Sequence, residues 1–430
     1  MPLSLLLTLA AAVLARADNY AVLVAGSSGY GNYRHQADVC HAYQIVIRNG
    51  INPDNVIVMS YDDAANSFQN PFKGQLFNKP TDEGTPGVDV YSGCKIDYSG
   101  RDVTPSNFLA VLTGDTAKAS GKVLTSGADD RVFINFVDHG APGLIAFPSG
   151  ELHADDLLDA LKTMNENKMY KELVFYLEAC ESGSMFQDLP DGMKIFATTA
   201  ANGHESSWGT YCPPSSKVNG KNLNTCLGDL YSVNWMEDAD KDSKSETLED
   251  QYTIVKNETT KSHVMQFGET DMESDLADAF WGKVSAPDFA QKKVSPEIKE
   301  MSSVDSRDAG LMTFFSQYLN SDAKDLKERR KLAEQLINEI QLRQWSDELI
   351  VDIAETAMAT NNGMPKEVLE GHRKPHHFDC HRAAIAQFKE SCGIFTDYML
   401  KHVRVLVNLC EVTKSPETIK ASIKSVCEKH

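Results

Sequence analysis

Val132-Phe133-Ile134-Asn135-Phe136-Val137-Asp138-His139-Gly140 and Leu173-Val174-Phe175-Tyr176-Leu177-Glu178-Ala179-Cys180 decide the fold. Each begins as a short, nearly continuous apolar run, the pattern of a strand buried on both faces. The gap between them leaves room for one crossover helix. Ala154–Met164, with Leu157, Leu158 and Leu161 at helical spacing, supplies it. Working outward, Ala21–Ala25, Val56–Ser60 and Ile195–Thr199 read as further buried strands. Ala37–Arg48 places Val39, Cys40, Tyr43, Ile45, Val46 and Ile47 largely on one helix face. Strands alternating with helices imply an α/β fold with a mainly parallel sheet flanked by helices, and such sheets bind ligands beyond the carboxyl ends of their strands.

Both quoted runs end in reactive tripeptides, Asp138-His139-Gly140 and Glu178-Ala179-Cys180. If the two strands are neighbours, His139 and Cys180 emerge at the same sheet edge. An imidazole beside a thiol lowers its pKa and shuttles its proton, as a thiolate nucleophile requires. Gly140 lets a carbonyl approach backbone N–H groups, an oxyanion-hole arrangement together with the N–H of Cys180.

The rest of the 430-residue chain is too long for one core and fits two domains. Leu3–Leu14 followed by Ala15-Arg16-Ala17 reads as a signal peptide over residues 1–17, with a mature start near Asp18. No later run is long enough to span a bilayer, so a soluble protein passing through an oxidising compartment is expected. The first domain is placed at 18–281. From Gly282 to Gly310 the composition turns to Ser, Pro, Lys and Asp without apolar period, and a linker is placed over 282–320. Residues 321–430 read as helical, led by Leu332, Leu336, Ile337 and Ile340. The formal charge of −19 argues against nucleic acid as a partner. Residues 320–430 hold 17 basic and 17 acidic side chains, so the whole excess lies before them, while six of the twelve histidines lie within them. Nine cysteines leave at least one unpaired.

Asn32-Tyr33-Arg34-His35-Gln36-Ala37-Asp38, Asp138-His139-Gly140, Glu178-Ala179-Cys180-Glu181-Ser182-Gly183-Ser184 and Ser232-Val233-Asn234-Trp235-Met236-Glu237-Asp238 together resemble the legumains, in that family's order. These are asparaginyl endopeptidases, or vacuolar processing enzymes. The resemblance implies a caspase-like catalytic domain and an all-α, death-domain-like C-terminal prodomain that inhibits in cis. It implies Cys180 as nucleophile, His139 as general acid/base, Asn32 orienting the imidazole, and Asp138 as a succinimide candidate. The pocket for the residue before the cut would be Arg34, His35, Glu178, Ser206, Ser207 and Asp229. Chemistry agrees with such a pocket, because an Asn side chain offers one acceptor and one donor and suits a cation paired with carboxylates. The resemblance also implies disulfides Cys380–Cys410 and Cys392–Cys427, a disulfide loop between Cys212 and Cys226, and self-processing after Asn320. Cys40 is placed in a helix core, and the state of Cys94 stays open.

Protein and peptide substrates are the expected partners, in an acidic lysosome or vacuole or outside the cell. Hydrolysis after Asn, and after Asp in acid, is the leading activity; peptide ligation by the same residues is the alternative. A catalytically dead homologue is disfavoured because Cys180 and His139 are both present. No cofactor and no metal is expected. Gly26-Ser27-Ser28-Gly29-Tyr30-Gly31 lacks dinucleotide-binding spacing, and Tyr252–Lys256 adds only a dehydrogenase-like Tyr-x-x-x-Lys. Asp238, Asp240, Asp242, Glu246 and Glu249 mimic a calcium loop, but Ser243 stands where glycine is needed. His372, His376, His377, Cys380 and His381 suggest zinc only if Cys380 is free. Asn257-Glu258-Thr259 is a glycosylation sequon. The acidic first domain against a neutral, His-bearing tail suggests an acid-released clamp, with carboxylate protonation below about pH 5 as its trigger.

Overall fold

The computed structural model describes residues 17–241, 246–282, 302–360, 365–393 and 395–430. The leader up to residue 16, the first half of the linker and part of the acidic calcium-like loop lie outside them.

Six strands form the central sheet: β1 (Asn19–Ala25), β2 (Val56–Ser60), β3 (Arg131–Val137), β4 (Glu172–Glu178), β5 (Ile195–Thr199) and β6 (Met265–Gly268). Their order is β6-β5-β4-β3-β1-β2, parallel throughout except for β6, which runs antiparallel at one edge. The five strands read from apolar runs are all present. β6 was missed because Met265-Gln266-Phe267-Gly268 is an edge strand, half-buried and too short to show a period.

Helices α1 (Tyr33–Arg48) and α2 (Ala154–Glu166) flank the sheet, and α2 is the crossover from β3 to β4. One side of the sheet packs Phe133 and Tyr176 against Trp235 and Trp281, with edge-to-face contacts joining Phe133 to the other three rings. The other side packs Phe136 on Phe108 and Phe147. Such apolar burial is the main stabilising term.

Beyond the sheet the described chain is almost entirely helical: α3 (Ala309–Asn320), α4 (Leu326–Thr360), α5 (Phe378–Cys392), α6 (Val403–Thr413) and α7 (Pro416–Cys427), with shorter turns between. Their core includes Leu349, Ile353, Phe388, Leu406 and Ile423, and it is continuous with Ala141 and Leu144 just past β3. Disulfides Cys380–Cys410 and Cys392–Cys427 tie α5 to α6 and α7.

One open question is answered and one reading is refined. Cys40 lies buried in α1 as expected, and its disulfide to Cys94 gives the state of both. The linker assigned to 282–320 is ordered in its second half. Val304–Asp305 adds a strand to Trp208–Thr210, and α3 comes immediately after. A strand held by backbone pairing to one neighbour needs no apolar alternation, so composition gave no sign of it.

Candidate active site

β3 and β4 are neighbours in parallel register, Val137 opposite Glu178, and the Asp138 N–H donates to the Glu178 carbonyl at 3.0 Å. His139 and Cys180 therefore stand two residues beyond paired positions on the same sheet edge. A Cβ on Gly140 would lie 2.3 Å from the Cys180 carbonyl oxygen, so only glycine fits there. Glu181 takes a left-handed conformation, φ 48°, in the sharp turn after Cys180. Asn32, just before α1, places Oδ1 2.9 Å from His139 Nε2. Cys180 is the free cysteine and is fully buried. Its Sγ accepts from the Ser207 N–H at 3.3 Å. Burial pushes the thiol up to about 12, against the opposing charge of Arg307. His139 Nδ1 has no hydrogen-bond partner, so thiol and imidazole are not bonded in this state.

Two groups from the C-terminal part close the site. Asp397 Oδ2 accepts from Asn32 Nδ2 at 2.9 Å and lies 3.3 Å from His139 Nε2. Although its side chain is 56% exposed, the facing His139 and the hydrogen bonds hold its carboxyl well below the usual range. Arg307 donates to the Gly140 carbonyl at 2.9 Å, to Ser206 Oγ at 3.1 Å and to the Glu181 carboxylate.

Beside them lies a buried polar pocket. Arg34 Nε donates to Asp229 Oδ1 at 2.8 Å. His35 lies between Asp138 and Asp229, 3.4 Å from each, and its Nδ1 is 2.6 Å from Ser27 Oγ. Glu178 accepts from the backbone and hydroxyl of Ser232 at 3.0 and 3.1 Å. Burial, then repulsion from Asp229, pushes Glu178 well above the carboxylate range, and burial lowers His35. Ser306 occupies the mouth: its N–H donates to the Ser207 carbonyl at 3.0 Å, and Arg34 donates to its Oγ at 2.8 Å. Arg34, His35, Glu178, Ser207 and Asp229 are thus together, whereas Ser206 turns to Arg307.

Residues 19–283 match the Peptidase C13 family, and residues 334–427 match the legumain prodomain. The chain belongs to the peptidase C13 (legumain) family. It is 41% identical to legumain of Rattus norvegicus over 96% of this chain and 93% of that protein. It is 39% identical to legumain of Canavalia ensiformis, covering 95% and 88%, and 38% identical to the vacuolar-processing enzyme of Glycine max, covering 95% and 85%. A solved caspase-1 from Spodoptera frugiperda aligns at TM-score 0.36 and 10% identity, over 63% of this chain and 94% of that one. The protein is a cysteine endopeptidase carrying its legumain prodomain, which fits an intramolecular inhibitor. Among the described residues no helix is long and apolar enough to cross a membrane.

The remaining candidates are scattered. Cys212–Cys226 is a disulfide. Asn257 is exposed in the last turn of the Leu248–Glu258 helix. Asn320 ends α3 exposed, its amide donating to Asn224 Oδ1 and the Ser316 carbonyl. In the acidic loop, Asp240 is already paired with His41 and Arg48. Cys380 is spent in a disulfide, while His377 and His381 bond Glu411. Among the described residues, His35, Asp138 and His139 are the group whose donor atoms lie close enough, within 4.8 Å, to hold a metal ion.

The prodomain contact carries a histidine that the sequence did not single out. His153 packs on Phe378 of α5, ring centroids 6.2 Å apart. Burial lowers it to about 3, aided by Arg382, His381 and Lys389 of the prodomain and opposed by Asp155. A histidine whose pKa is depressed under the cover stabilises the cover above about pH 6.5, and that contribution is lost as pH falls, by roughly 1.4 kcal/mol per unit. The Asp397 clamp has the same sign but a lower window. It is retained down to about pH 3.8, the ordinary value, and lost only below that. Between these limits histidine, rather than carboxylate, titration should loosen the cover. His153→Phe is expected to lower the pH midpoint for dissociation of a cleaved prodomain by about one unit. A midpoint unchanged in size-exclusion runs across pH 6.5 to 4 removes His153 from the trigger.

Proposed function

We propose that this peptidase hydrolyses the bond after Asn, and after Asp in acid, with Cys180 as nucleophile and His139 as general acid/base oriented by Asn32. The carrying observation is Ser306. It sits on Ser207 and Arg34 directly after the Val304–Asp305 strand, which pairs antiparallel with Trp208–Thr210, as the residue before a scissile bond would. An Asn there offers its side-chain carbonyl to Arg34 and its NH₂ to Asp229, with His35, Glu178 and Ser207 walling the pocket. With the cover gone, the Cys180 thiol gives its proton to His139 and its sulfur attacks the Asn carbonyl. The oxyanion rests on the N–H groups of Gly140 and Cys180, the amine leaves with the proton, and water hydrolyses the thioester. In the zymogen the Ser306 carbonyl instead accepts from Arg34 at 3.3 Å. A carbonyl turned to the pocket cation is not in the oxyanion site, which accounts for a bound but uncut segment. Support for a vacuolar or lysosomal setting comes from the vacuolar-processing relatives and the four disulfides. The direct test is cleavage of a peptide panel varied at one position, with Asn the expected requirement.

Self-processing after Asn320 is a consequence of the same specificity. Asn320 lies at the far end of α3, 14 residues past Ser306, while the pocket is filled. The cut is therefore expected between molecules. The initial activation rate at pH 4 should rise with the square of zymogen concentration, and mass spectrometry should find a new C-terminus at Asn320. First-order activation, or an unchanged fragment from Asn320→Ala, rejects this assignment.

A further inference from the structure

The segment in the site occupies both sides of the position where a substrate is cut. With Ser306 in the place of the residue before a scissile bond, Asp305 and Val304 pair with Trp208 and Gly209 on one side. Arg307 is the first residue on the other. Its side chain is buried, 6% exposed, and divides its guanidinium among three acceptors: the Gly140 carbonyl, Ser206 Oγ and the Glu181 carboxylate. Glu181 is the residue after Cys180. Its left-handed backbone sets it beside the reacting sulfur, and it is itself only 4% exposed.

We propose that Glu181, with the Gly140 carbonyl and Ser206, forms a subsite for a cationic side chain on the residue immediately after the cleaved bond, so that Asn-Arg and Asn-Lys bonds are preferred. The proposal rests on the reading of Ser306 as the residue before the cut. Once the prodomain and its segment leave, a carboxyl that had Arg307 against it and Arg404 nearby loses both cations. A carboxylate in so enclosed a place is stabilised by the next cation that can reach it, and a fork of N–H donors matches these acceptors. Burial raises the Glu181 carboxyl, so protonation should weaken the preference as pH falls into the mildly acidic range.

A peptide library digested by the activated enzyme at pH 6 reads both positions separately. The residue before the cut tests the Asn proposal; the residue after it tests this one. Arg and Lys are expected roughly ten- to a hundredfold above Ala, with Glu and Asp below Ala. Glu181→Gln should flatten the second profile to within about threefold while leaving the first unchanged. Should that variant not fold, Ser206→Ala, which removes one acceptor, should reduce the Arg preference in part. A flat second profile in the unmutated enzyme overturns the subsite whatever residue precedes the cut. A basic preference that survives Glu181→Gln unaltered overturns the role of Glu181.

Discussion

Cys180→Ala is expected to lower cleavage of an Asn-containing peptide by a factor on the order of 10⁴ or more, and to leave the zymogen full length after incubation at pH 4. Removing the nucleophile of a covalent mechanism abolishes the acyl-enzyme route, and only binding and oxyanion stabilisation remain. The fold should not notice. Cys180 is outside the four disulfides, and losing one buried sulfur leaves the surrounding packing with a small cavity only. Thermal unfolding separates loss of chemistry from loss of structure. A variant that melts as the parent does and still cuts the peptide within tenfold of its rate would remove Cys180 from the mechanism. The parent thiol adds a second reading. Burial keeps it protonated in the zymogen, so an electrophilic Asn peptide should label Cys180 only after the cover is released.

The second large effect is on substrate choice. The ratio of kcat/KM for peptides differing only in Asp or Asn before the cut should climb by roughly a hundredfold between pH 6.5 and 4. Arg34 is already paired with Asp229, so an ionised Asp brings negative charge to a pocket with no cation to spare. Like charges in an enclosed site cost on the order of several kcal/mol. A protonated Asp is nearly isosteric with Asn and regains a donor. Because Glu178 is pushed up by burial and by Asp229, the repulsion comes from Asp229 and not from two carboxylates equally. Any pH dependence of the chemical steps common to both peptides cancels in the ratio. An Asp-to-Asn ratio that stays flat over this range would reject the pocket.

Sequence alone carried five of the six sheet strands and the two reactive strand ends, because buried strands and loaded strand termini are local patterns, while the pocket of Arg34, His35 and Glu178 came from the family resemblance. What it could not carry was long-range and polar. Asp397 is one acid in Thr396-Asp397-Tyr398, and only the packed prodomain brings it to His139. Ser306 and Arg307 sit in a stretch without apolar period, since they are held by backbone pairing and by polar acceptors rather than by burial of hydrocarbon. The Cys40–Cys94 bond joins a helix to a loop 54 residues away, and spacing does not specify such pairings.

The strand at Val304–Asp305 and the clamp at Asp397 lie on opposite sides of Asn320. A cut there would divide the inhibitor into two pieces with different fates. The helical piece, bearing Asp397, becomes a separate molecule and is lost by dilution. The plug, bearing Ser306 and Arg307, stays joined to the catalytic chain and re-enters its own site at the high local concentration that a short tether confers. Severing the chain and opening the site are therefore distinct events, and a nicked protein with its plug still seated would be a reservoir of latent enzyme rather than an active one.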